Sequence, residues 1–199
     1  SDGVNDEQDK CPSQAGTVKY NGCPIPDTDK DGVNDEQDKC PTVSGLTRYG
    51  GCPIPDTDKD GVNDEEDRCP TEAGIAANKG CEDIQPLLNE IAKDFKFQTG
   101  KVSLNSKTLI KLDAVVAALN KYPNINLEIV GNTDNTGSKR INQPLSEKRA
   151  KVVSTYLVKK GIPAERLNNI GVADTNPVDT NKTSKGRASN RSTDMNPKY

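Results

Sequence analysis

The 199-residue chain has no histidine and no tryptophan. Without histidine, Ser-His-Asp triads, Cys-His dyads and histidine-ligated zinc sites are excluded. Cysteine is absent after Cys81, so everything downstream lacks a thiol nucleophile. Apolar residues make up 31% of the chain and aromatics 4%, too little for one evenly packed globule. The longest apolar run, Ala114 to Leu119, falls far short of the ~20 residues that span a bilayer. No signal peptide is visible.

The residues that are present divide unevenly. Residues 1–83 hold 20 acidic and 8 basic side chains, and residues 84–199 hold 10 and 19. An overall charge of −3 therefore hides an acidic segment followed by a basic one. All six cysteines lie in the acidic part. Two domains are expected, 1–83 and 84–199, and only the second has the apolar content for an ordinary core. Lacking cysteine, it is expected to fold alone and to tolerate reductant.

The acidic segment repeats every 29 residues. Asp-Gly-Val-Asn-Asp recurs at 2–6, 31–35 and 60–64, and the cysteines keep the same step. The first copy lacks its opening Asp-Thr-Asp, so the chain is expected to be a fragment of a longer protein. In the complete copies the acids Asp27, Asp29, Asp31, Asp35 and Asp38, and again Asp56, Asp58, Asp60, Asp64 and Asp67, fall at positions 1, 3, 5, 9 and 12 of a loop. Gly32 and Gly61 stand at position 6, and Val33 and Val62 offer a backbone carbonyl at position 7. Asp2, Asp6 and Asp9 are what remains of the set in the first copy. Alternate carboxylates converging on a hard cation, with glycine at the sharp turn, form the loop arrangement used for calcium; magnesium suits such all-oxygen cages less well.

The flanks differ from an EF-hand, because each loop runs straight into Cys-Pro and no amphipathic helix follows. The pattern DxDxDGxxDxxDxCP resembles thrombospondin type 3 repeats over residues 1–83. That resemblance implies a chain with little regular secondary structure, wrapped around calcium and pinned by disulfides. Six cysteines allow fifteen pairings. Spacing favours Cys11–Cys23, Cys40–Cys52 and Cys69–Cys81, which share one 12-residue step, whereas pairing each repeat to the next strands Cys81. The gaps lack the Cys-x2-Cys spacing of zinc sites. Disulfides imply an oxidising compartment.

In the basic segment, Ile84, Leu87, Leu88 and Ile91 form a helical stripe, and Phe95 and Phe97 alternate as in a short strand. Leu109, Leu112, Val116 and Leu119 mark a helix face after Ser106, a plausible cap. Ile125, Leu127 and Ile129 alternate as a strand. A second long helix has Pro144 near its start and Gly161 as its stop. Leu167 to Ala173 reads as a further strand, and 192–199 as another. Strand–helix–strand–helix–strand implies an α/β fold with parallel neighbours and helices on one face.

Three stretches stand in order: Gly131-Asn132-Thr133-Asp134, Leu145-Ser146-Glu147-Lys148-Arg149-Ala150 and Gly186-Arg187-Ala188-Ser189-Asn190-Arg191. From about 84 to 199 the chain resembles the OmpA-like peptidoglycan-binding domain, and the interval from Asp134 to Arg149 is the family's. The resemblance implies a βαβαβ-type domain with a mixed sheet. It implies that Asp134 faces the ammonium, and Arg149 the carboxylate, of the zwitterionic end of diaminopimelate. Thr133, Asn135 and Asn142 match supporting polar positions, and Arg187 and Arg191 lie four apart on one rim. The chemistry fits, because a guanidinium fork holds a carboxylate by two parallel hydrogen bonds. Two departures stand out: Asn132 where relatives commonly have histidine, and Ser192 in place of a second arginine.

The expected function is non-covalent peptidoglycan binding that tethers the outer membrane to the wall, with calcium repeats as stalk. The expected setting is the periplasm of a Gram-negative bacterium, with an outer-membrane anchor such as an N-terminal barrel as partner. A homo-oligomer stays open. A glycan hydrolase using Asp134 with Glu128 or Glu147 is disfavoured, since no second acid sits beside Asp134 in the matched loop. Nucleic acid is not expected, as no aromatic platform accompanies the lysines. The alternative is a calcium-dependent adhesin or interaction protein whose repeats contact host or partner proteins.

Overall fold

A computed structural model describes residues 3–199. By compactness the chain divides into two units, residues 1–57 with 63–65, and residues 58–62 with 66–199.

The first unit has almost no regular structure. Its order comes from turns, the short 3-10 helices Val18–Tyr20 and Thr47–Tyr49, and the disulfides Cys11–Cys23 and Cys40–Cys52. Both pairings are those the spacing favours. The loop glycine at position 6 is needed for its backbone: Gly32 has φ +92° with open space around it.

The second unit holds the α/β fold. Its elements are α1 (Gln85–Ala92), α2 (Ser106–Lys121), β1 (Asn126–Gly131), α3 (Lys139–Lys159), β2 (Leu167–Gly171), α4 (Ser184–Asn190) and β3 (Thr193–Lys198). The sheet order is β2-β1-β3, with β1 parallel to β2 and antiparallel to β3. Leu127 and Ile129 of the central strand are buried, while Glu128 and Val130 are only half covered. The helices therefore pack on one face, α3 against β1 and β2, and α1 against β3. No helix among the described residues is long and apolar enough to cross a membrane.

Three details differ from the sequence reading. Phe95 and Phe97 form no strand. Both rings are buried, and the Phe97 amide donates to the Arg191 carbonyl, so the segment is an irregular crossing rather than a sheet edge. The cap of α2 is Asn105, whose side chain accepts from the Thr108 amide; Ser106 is the first helical residue. The helix α4 has no apolar stripe to announce it. It is capped by Thr183, whose hydroxyl accepts from the Gly186 amide at 2.9 Å.

The compactness boundary falls well before residue 83, where the composition changes, because the third repeat packs into the α/β core. Cys69 and Cys81, bonded to each other, are buried with Ile84, Leu88 and Tyr122. The Tyr122 hydroxyl donates to the Glu82 carboxylate, and Lys121 pairs with Glu72 at 3.3 Å and Glu82 at 3.4 Å. The Asn124 amide donates to the Arg68 carbonyl, and the Tyr199 hydroxyl accepts from the Ile84 amide at 3.0 Å. Residues 84–199 are therefore only part of a compact unit that also includes Cys69–Cys81.

Candidate functional site

The ends of β1 and β2 open onto a loop that carries Asp134 into the start of α3. Gly131 ends β1 where α3 lies so close that a Cβ would stand 2.0 Å from the Ser146 carbonyl oxygen. This close approach sets the distance between the Asp134 loop and the face of α3 that carries Asn142, Ser146 and Arg149, all buried. The Thr133 amide donates to the Ala173 carbonyl at 2.8 Å, tying the loop to the segment after β2. The Asn142 side-chain amide donates to the Asp134 carbonyl at 3.2 Å.

A pocket of about 160 Å³ lies here, and Thr133, Asp134, Asn142, Arg149 and Arg191 all line it. Its remaining wall comes from Thr136 and from Leu145, which opens the second motif, and from Thr99, Gly100 and Ile141, which no motif contains. Two expected residues stand outside it. Asn135 is exposed, and its amide donates to the Asn181 side chain. Arg187 donates to the Asn181 carbonyl at 2.9 Å and so braces the neighbouring loop.

Asp134 is ion-paired with Arg191, whose Nη1 donates to Oδ2 at 2.6 Å. The other carboxylate oxygen accepts from the Thr136 amide at 2.9 Å. Burial alone would raise the Asp134 pKa. The Arg191 and Thr136 hydrogen bonds outweigh it and hold the carboxyl below the ordinary carboxylate range. Arg191 is itself fixed by a 2.8 Å bond from Nε to the Phe97 carbonyl.

Arg149 is fully buried and is not hydrogen-bonded to Asp134. Its guanidinium donates to three backbone carbonyls, those of Asn132 (2.7 Å), Lys101 (3.2 Å) and Gln98 (3.3 Å). It also stands over the Phe97 ring, 4.8 Å from the centroid. Burial, then the neighbouring Arg191 charge, lower its pKa to about 10, against the pull of Asp134, so it stays charged at neutral pH. Three of its five N–H donors are used, which leaves two for a ligand. The Thr133 hydroxyl is buried in the same pocket without a hydrogen-bond partner. The arrangement is two cations and one anion around a small cavity, a fit for a group that brings both an ammonium and a carboxylate.

The two departures from the family pattern meet each other. The Asn132 side-chain amide donates to Asp194 at 2.7 Å and to the Ser192 hydroxyl at 3.4 Å. Neither residue lines the pocket. Asn132 acts on it through its backbone, as a carbonyl acceptor for Arg149.

In the repeats, one carboxylate oxygen each of Asp27, Asp29 and Asp31 lie within 4.8 Å of one another. Burial and the neighbouring charges of Asp31, Asp38 and Asp27 raise the Asp29 pKa against the pull of the Asp31 amide. Asp29 Oδ2 and Asp38 Oδ2 are buried without a hydrogen-bond partner. Clustered carboxylates with orphaned buried oxygens fit a hard divalent cation. Asp35 stands apart from this cluster, because both its oxygens accept from the amide and hydroxyl of Thr28 at 2.8 Å. Asp64 does the same with Thr57. The amides of Val33 and Val62 donate to Asp31 and Asp60 at 2.8 Å. Asp60 also accepts from Gly74, as Asp31 does from Gly45. Asp56 falls in the first unit and Asp58 in the second. Asp67 accepts from the Cys69 amide at 2.6 Å, as Asp38 does from Cys40. Asp6 and Asp9 line a polar pocket of about 220 Å³ in the first copy; Asp2 lies outside the described residues.

The OmpA family matches residues 96–191, and the thrombospondin type 3 repeat matches residues 23–48 and 52–77. The chain is 38% identical over 112 residues to the peptidoglycan-binding protein ArfA of Mycobacterium tuberculosis, covering 56% of this chain and 34% of that protein. It is 35% identical over 115 residues to outer membrane protein Omp38 of Acinetobacter baumannii, covering 54% and 32%. The chain thus spans about a third of the length of these relatives. In fold it is similar to the peptidoglycan-associated lipoprotein from Burkholderia pseudomallei, with TM-score 0.51 and 24% identity over 52% of this chain and 88% of that one.

Proposed function

We propose that this chain, which carries an OmpA-family domain and thrombospondin type 3 repeats, binds peptidoglycan non-covalently and does not turn it over. The observation that carries the reading is the buried Asp134 carboxylate in one small pocket with the charged forks of Arg149 and Arg191. The ligand group is the zwitterionic end of diaminopimelate in a stem peptide. Its ammonium faces Asp134, whose carboxylate has lone pairs beyond those used by Arg191 and Thr136. Its carboxylate faces the two spare donors of Arg149, and the Thr133 hydroxyl bonds to the same group. The carbonyl cage around Arg149 fixes the fork before the ligand arrives, so little side-chain freedom is lost on binding.

In this reading the domain lies in the periplasm and ties an outer-membrane anchor to the wall. The names of its relatives, a peptidoglycan-binding protein and an outer membrane protein, support that setting. The repeats form a calcium-stabilised stalk. Asp27, Asp29, Asp31 and Asp38 would hold the ion in the first complete copy, and Asp58, Asp60 and Asp67 stand at the matching sequence positions of the second. Calcium there supplies charge neutralisation to a segment too poor in apolar residues to order itself.

Calorimetry with two soluble stem peptides tests the binding claim. One carries diaminopimelate and the other carries lysine at the same position, whose side chain ends in an ammonium alone. The first is expected to bind and the second to bind clearly worse. Equal binding would remove Arg149 from the recognition of a carboxylate.

A further inference from the structure

The two complete links between repeats in the first unit are the same side-chain clamp. Lys19 pairs with Glu36, and the neighbouring Tyr20 hydroxyl donates to the same carboxylate at 3.1 Å. One period later, Arg48 Nη2 donates to Glu65 at 2.6 Å and the Tyr49 hydroxyl to Glu65 at 2.7 Å. Each cation also stands over its own tyrosine ring, 5.3 Å and 5.4 Å from the centroid. The donors sit on the two 3-10 helices, and the acceptor lies 17 and 16 residues downstream in both cases. A basic–tyrosine pair on one repeat thus grips a glutamate on the next.

Glu7 occupies the acceptor position in the first copy, 29 residues before Glu36. It is exposed, and the bond it makes among the described residues is from its backbone amide to Asn5. The donor position in the third copy holds Ala77 and Asn78, which offer no cation and no phenol. The two basic–tyrosine pairs on the repeats are already engaged with Glu36 and Glu65, Lys121-Tyr122 in the α/β unit holds Glu82, and Lys198 pairs with Glu128. A second copy of this chain therefore has no pair to offer Glu7.

We infer that Glu7 is the receiving half of a third clamp, and that the surface around it docks a further type 3 repeat bearing a Lys/Arg–Tyr pair. The array then has a direction. A repeat is accepted at the Glu7 end, while the third copy ends the series with Ala77-Asn78 and builds its disulfide into the α/β core.

The test is to place a copy of residues 27–58 ahead of Ser1 of the full chain, in calcium. The grafted Arg and Tyr then stand 17 and 16 residues before Glu7, the separation of the native clamps. A second graft carries Arg48→Ala and Tyr49→Asn. Glu7→Gln is made in both, and amide exchange is followed in the grafted repeat. With the Arg–Tyr graft, Glu7→Gln is expected to speed exchange about two- to fivefold, the range of an exposed ion pair. With the Ala–Asn graft it should change nothing. Glu36→Gln should speed exchange around Tyr20 by a similar factor. Equal effects of Glu7→Gln in the two grafts, no effect in either, or a graft that is unprotected in every form would overturn the proposal.

Discussion

Arg191 reaches from the end of α4 to the Asp134 carboxylate, 2.6 Å away, and pairs with it inside the pocket that Arg149 also lines. The pair is nearly enclosed, with Asp134 at 5% and Arg191 at 16% side-chain exposure. Asp134 therefore arrives at the pocket with its charge fixed and its orientation set by a second arginine.

Replacing Arg191 by Gln leaves a buried carboxylate without its partner. A fully buried pair broken in this way costs ~3–5 kcal/mol, and the open mouth of the pocket should bring the loss here to ~1–3 kcal/mol. Thermal unfolding measures it. Asp134→Asn with Arg191→Gln should recover part of the loss, because the uncompensated charge goes with it.

Arg149→Lys keeps the positive charge but cannot reach three carbonyls in one plane. Peptidoglycan binding should fall at least tenfold and the protein should unfold at lower temperature. Arg187→Lys, by contrast, alters a bond to the Asn181 carbonyl outside the pocket and should leave affinity within about twofold.

The pH dependence follows from the direction of the Asp134 shift. Its folded pKa is depressed, so its stabilisation is fully present above the ordinary carboxylate value of ~3.9 and is lost as pH falls through the lower folded value. Binding should be flat from pH 7 to about 5. A loss of binding centred near pH 6 would mean that Asp134 is not held by Arg191 as described.

Chelation of calcium should loosen the first unit, seen as faster proteolysis between residues 3 and 57 and a change in circular dichroism. Asp29→Asn and Asp38→Asn remove the two carboxylates with orphaned buried oxygens, so each should weaken calcium binding in the first complete copy. Asp35→Asn should weaken it less, since that side chain is spent on Thr28.

The Cys69–Cys81 disulfide lies in the core of the α/β unit. Cys69→Ser with Cys81→Ser should cost on the order of 3 kcal/mol. That corresponds to a fall of roughly 10 °C in the unfolding temperature of the α/β unit. A chain cut to 84–199 loses Arg68, Glu72 and Glu82 as partners of Asn124, Lys121 and Tyr122, and should be less stable than one starting at 58.

The repeat, its disulfides and the strand 126–131 were legible because each leaves a local signal, a period or an alternation, which 167–171 and 193–198 do not carry. Pocket membership was legible for Asp134, Asn142 and Arg149, whose spacing is fixed by one loop and one helix. The partner of Asp134 was not, since Arg191 lies 57 residues away on an element with no apolar stripe. The carbonyls of Gln98 and Lys101 that hold Arg149 leave no mark in a side-chain pattern at all. Phe95 and Phe97 alternated like a strand because both rings enter the core, not because their backbone pairs. The third repeat read as one more copy because the features that join it to the core, Glu72, Glu82 and the chain around Cys81, are long-range contacts.

Co-sedimentation with purified sacculi tests the central claim most directly, using wild type, Asp134→Ala and Arg149→Ala proteins shown to be folded. The account predicts that wild type sediments, that both variants stay in solution, and that free diaminopimelate releases wild type. Variants that remain folded and sediment as well as wild type would contradict it and place peptidoglycan binding elsewhere on the chain.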